Sequence, residues 1–139
     1  MEPRLSPGVV ARTVGVLAAL VLFAVVTADA HHSFAADFDV TKPVRLTGRV
    51  AKIEWLNPHV HIYIEVTDRN TTPTTWSIEL GSPNGLRQRG WTSKSLKIGD
   101  VITIDGVLAK DGSHLANATS IVLPSGVRLS TGSGVGKTS

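Results

Sequence analysis

The residues best suited to chemistry are two pairs of histidines, His31-His32 and His59-x-His61. Neutral imidazole is the commonest side-chain ligand of transition metals and also the usual acid–base group near pH 7. The first pair gains a further donor if the chain is cut just before it. Arg4 and Arg12 precede an apolar run, Val14 to Val26, and Ala28-Asp29-Ala30 then reads as an A-x-A cleavage site, so residues 1–30 are expected to be a cleaved signal peptide. The run falls short of the roughly 20 residues of a membrane-spanning helix, so contact with a membrane is expected only through the leader during export. Cleavage after Ala30 frees the α-amine of His31 within chelating reach of its own ring. His59 and His61 are two positions apart in an alternating stretch, and on a strand such residues share one face about 6.6 Å apart.

An amine with several imidazoles is an all-nitrogen set suited to Cu(II), whereas three imidazoles in tetrahedral array suit zinc. The expected metal ligands are therefore His31, His32, His59 and His61, with copper first and zinc second, and Glu79 or Glu65 is a candidate to orient a ring nitrogen. The same four histidines also fit a solvated terminus and a half-exposed strand. The alternative is a site without metal, in which Arg45, Tyr63, Glu65 and Glu79 on the barrel face hold a small molecule, a glycan or a protein. No GxSxG or HExxH signature is present, and Gly136-Lys137-Thr138 lacks the first glycine of a phosphate-binding loop. No catalytic residue is assigned, and the expectation is a binding protein rather than an enzyme.

The elements that must position these groups are strands. From Val44 to Val50 alternate residues are apolar, and Ala51-Lys52 breaks the phase before Ile53 and Trp55, which predicts a long strand bent by a bulge. Asn57-Pro58 turns the chain into a second strand with Val60, Ile62, Ile64 and Val66 inward and His59, His61, Tyr63 and Glu65 outward. Trp76, Ile78 and Leu80 mark a third. Ser82-Pro83 is a helix start, with Leu86 as the buried contact. Val101 to Ala109 and roughly Ala116 to Leu123 are the fourth and fifth strands, separated by a turn at Lys110-Asp111-Gly112. Residues 31–43 read as an arm that carries the histidines, and 124–139, rich in Gly, Ser and Thr, as a flexible tail. The order places a short helix between strands three and four of an all-β, five-stranded Greek-key barrel of the oligonucleotide and oligosaccharide binding (OB) type, spanning 44–123.

Composition agrees with one small exported domain. The 139 residues contain no cysteine, which excludes disulfides and thiolate metal sites. The formal charge of +3 is too mild to point to nucleic acid as a partner. Four blocks, His31 to Asp39 (HHSFAADFD), Asn57 to Tyr63 (NPHVHIY), Trp76 to Trp91 and Leu96 to Asn117, resemble exported bacterial proteins of a domain-of-unknown-function type whose mature chain begins HHSF. That resemblance implies a periplasmic or secreted location and an OB-like domain, without an activity. The proposed terminal amine and histidines are in turn similar to the histidine brace of copper-binding exported proteins.

Overall fold

The structure, a computed structural model, describes residues 34–67 and 72–133. The leader expected at 1–30 lies outside the described residues, as do His31 and His32. The elements are β1 (Phe38–Glu54), β2 (His61–Val66), β3 (Thr74–Glu79), α1 (Pro83–Arg87), β4 (Val101–Ala109), β5 (Leu115–Val122) and β6 (Arg128–Ser130). β1 pairs antiparallel with both β2 and β4, β4 pairs antiparallel with β5, and β5 closes on β3 in parallel, so the first five strands form a circuit. Inside it Val50, Ile62, Ile64, Ile78, Ile102, Ile104 and Ile121 are almost fully buried. Trp91 and Leu86 join them from the segment after β3.

Local chemistry accounts for the joints. The β1–β2 register shifts between Val50 and Lys52, leaving Ala51 as the extra residue that bends the strand where the apolar phase breaks. Ser82 caps α1 by accepting a hydrogen bond from Gly85 N at 3.2 Å, and Pro83 takes the first turn, where its missing N–H is not needed. A second register shift separates Asp105 from Gly106 on β4. There a Cβ on Gly106 would run into the carbonyl oxygen of Asn117 across the ladder. Because the obstacle is backbone, Gly106→Ala is expected to lower stability by about 1–3 kcal/mol. Thermal melting of the variant checks this, and an unchanged midpoint would contradict the close packing of β4 on β5.

Two boundaries differ from the sequence reading. β1 begins at Phe38 rather than Val44, so half of the expected arm is sheet: Phe38 and Asp39 pair with Ala109 and Leu108 before the register slips at Asp39–Pro43. Proline lacks the ladder donor, and the bulge absorbs it while Asp39 accepts from Thr41 N and Thr41 Oγ1 at 3.0 and 2.6 Å. The second correction concerns the tail and the strand count. Arg128–Ser130 forms a sixth strand on β5, and Thr131 beyond it is fully buried. Thr131 N donates to Thr119 O (3.1 Å), its carbonyl accepts from Gly81 N (3.0 Å), and its hydroxyl donates to Ala118 O. The indole N–H of buried Trp91 donates to Ser130 O at 2.8 Å. Residues 128–131 therefore fasten the segment after β3 to β5.

Candidate functional site

The period-two alternation that buries Ile62 and Ile64 puts His61 and Tyr63 on the outer face of β2. One rung of the sheet then lines up four polar residues: Glu54 on β1 faces His61, His61 faces Glu79 on β3, and Glu79 faces Asn117 on β5. Directly opposed residues have Cβ atoms about 4.5–5.5 Å apart, so the rung places an imidazole between two carboxylates. His59 sits just before β2, where Val60 still exchanges backbone hydrogen bonds with Leu80 and Gly81. Its Nδ1 lies 3.1 Å from Glu79 Oε1. The same oxygen accepts from Asn117 Nδ2 at 3.3 Å. Glu79 is thus shared by His59 and Asn117, and its side chain is 17% exposed against 45% for His59. Asn117 is 3% exposed, and its Oδ1 has no hydrogen-bond partner.

The next rung extends the group. Lys52 faces Tyr63, with its Nζ 5.1 Å from the ring centroid and 2.6 Å from Glu54 Oε1. The Tyr63 hydroxyl donates to Glu54 Oε2 at 3.0 Å. The hydrogen bond from Lys52, then that from Tyr63, holds the Glu54 carboxyl below the usual carboxylate range, and the charge of Lys52 acts in the same direction. The bond to Glu54 in turn raises Lys52. As these side chains stand, no three histidine, aspartate or glutamate groups among the described residues form a metal-binding cluster.

The structure brings His59, His61, Tyr63 and Glu79 onto neighbouring positions, with Glu65 next after Tyr63 on the same face of β2, and leaves Arg45 apart from them. Arg45 is seven positions before Lys52 on β1, roughly 20 Å along an extended strand, and its Nε lies 3.3 Å from Asp105 Oδ1. Arg128 binds the other side of that carboxylate and donates to Ser120 Oγ at 2.7 Å. Glu65 is exposed and pairs with Arg49, not with the histidine rung. Hence Tyr63 and Glu65 share the outer face of β2, while Arg45, four residues before Arg49 on β1, is engaged with Asp105. Glu54 and Asn117 are the members that sequence reasoning missed. Glu54 and Lys52 are two apart beyond the bulge and so share a face, a signal that was present in the sequence. Nothing local marks Asn117, whose burial depends on the parallel closure of β5 on β3.

Among solved structures, the mitochondrial single-stranded DNA binding protein from S. cerevisiae is similar to this chain, with 12% identity and a TM-score of 0.48 over 63% of this chain and 94% of that one. No curated protein matches the chain. A family profile does, over residues 19–118, and by that match the chain belongs to a family of unknown function, DUF6152.

Proposed function

We propose that this is an exported OB-like domain that binds a divalent transition metal, copper or zinc, on the outer face of the β2–β3 ladder. The observation that carries the reading is the 3.1 Å approach of His59 Nδ1 to Glu79 Oε1. A carboxylate this close to one ring nitrogen is placed to take up its N–H and leave the other nitrogen as an electron-pair donor, the arrangement found behind most metal-bound histidines. His59 Nε2 is then the first ligand and His61, opposite the same glutamate, the second. His31 and His32 enter the proposal as further donors on the sequence argument, with the α-amine released by cleavage after Ala30. Export rests on that same leader. With bound ligands limited to nitrogen and oxygen, the site suits Cu(II) or Zn(II) rather than thiolate-seeking ions.

Titration calorimetry with Cu(II) and with Zn(II) tests the reading on protein that begins at His31, on the same protein extended by one residue at its amino end, and on His59→Ala. The proposal expects binding by the first, weakened in the other two by separate amounts. Equal affinity in all three contradicts it. A second reading, a small-molecule or adaptor site without metal, is favoured by a groove of about 500 Å³ lined by Val40, Pro43, Val44, Arg45, Asp105 and Val107, a size within the usual range of ligand pockets. Ligand binding that survives replacement of every histidine, and is lost in Arg45→Ala, would select it.

A further inference from the structure

The metal reading leaves the described part of the site one protein ligand short. His59 and His61 supply two nitrogens, and Glu79 is engaged in holding His59 and Asn117. Zinc sites draw three or four ligands from the protein. The side chain placed to add one is Glu54, directly across the β1–β2 ladder from His61. Both of its oxygens are in use, Oε1 with Lys52 at 2.6 Å and Oε2 with Tyr63 at 3.0 Å. Neither partner is a strong competitor. Lys52 is more than half exposed and Glu54 about one-third exposed, and an ion pair in such a setting contributes little. A doubly charged cation bound at His61, across the ladder, offers the carboxylate a stronger partner than either.

We infer that Glu54 is a metal ligand held in reserve, which on binding exchanges Lys52 and Tyr63 for the metal beside His61, so that these two residues set the affinity from outside the coordination sphere. The inference rests on the metal reading above and makes Lys52 and Tyr63 positioning residues rather than ligands.

The test is a cycle of metal titrations on the full mature chain with Zn(II) as probe. Glu54→Gln should weaken binding about tenfold or more, as loss of a ligand or its close support does. Tyr63→Phe removes a neutral hydroxyl and should tighten binding about two- to fivefold by freeing Glu54. That gain should vanish when Tyr63→Phe is combined with Glu54→Gln. Tyr63 is the sole tyrosine of the chain, so ultraviolet difference absorbance on metal addition also reports whether its hydroxyl loses its acceptor. A purely structural role for Tyr63 would give weaker or unchanged binding and no such spectral change, and either result overturns the inference. If Glu54→Gln binds like the unaltered protein while His59→Ala does not, Glu54 is excluded and the metal site stands. If the unaltered protein takes up no zinc or copper, both fall.

Discussion

A chain that ends at Pro124 should melt far below one that ends at Ser133, by about 15 °C or more. The shorter chain loses β6, whose Leu129 packs on the core, and the fastening made by Thr131. Four buried or half-buried groups lose a partner at once: the indole N–H of Trp91, the amide of Gly81 and the carbonyls of Ala118 and Thr119. A buried polar group left unpaired costs about 1–3 kcal/mol. Water reaches some of them after truncation, so a total of roughly 3 kcal/mol is a conservative sum. For a domain of this size each kcal/mol shifts the melting temperature by about 4–8 °C. Coincident melting curves for the two truncations would mean that residues 125–133 are a passive tail. Single changes divide the effect: Trp91→Phe keeps most of the packing and removes the bond to Ser130, so it should account for only a part of it.

The second large effect is on metal affinity. Replacing both His59 and His61 by alanine removes the two ring donors of the proposed site and should reduce Cu(II) or Zn(II) affinity by two orders of magnitude or more, beyond the 10–100-fold typical of losing a supporting group. Glu79→Gln should fall within that 10–100-fold interval. The amide can still accept from His59 Nδ1, but it lacks the charge that strengthens the ring as a donor. Both sets of side chains lie on the outer face, away from the apolar core, so melting temperatures should change little. Calorimetry beside thermal melting separates the two quantities. Affinity that survives the double replacement would move any metal elsewhere, and a collapse in melting temperature would make the rung a structural element.

The strands were legible in the sequence wherever one face is buried. Alternation from Val60 to Val66 gave β2 its inner and outer faces, the broken phase at Ala51 marked the bulge, and Ser82-Pro83 marked the start of α1. Pairing between distant segments was not. β6 is three residues long, with one apolar side chain in a Gly-, Ser- and Thr-rich stretch, and its stability comes from Trp91 and Gly81 far earlier in the chain. Pro43 suggested a strand boundary, yet a bulge supported by Asp39 and Thr41 lets β1 run through it. The candidate site shows the same division. His59, His61 and Glu79 were named from residue type and alternation. Their alignment with Glu54 and Asn117 is a matter of register across four strands, which no local pattern encodes.

Anomalous diffraction at the zinc edge, from zinc-soaked crystals of protein that begins at His31, addresses the proposed metal site most directly. The account predicts a peak about 2.0–2.1 Å from His59 Nε2 and from a ring nitrogen of His61, with Glu79 still on His59 Nδ1. A peak bound to other side chains, or none at these histidines at full zinc loading, would contradict it.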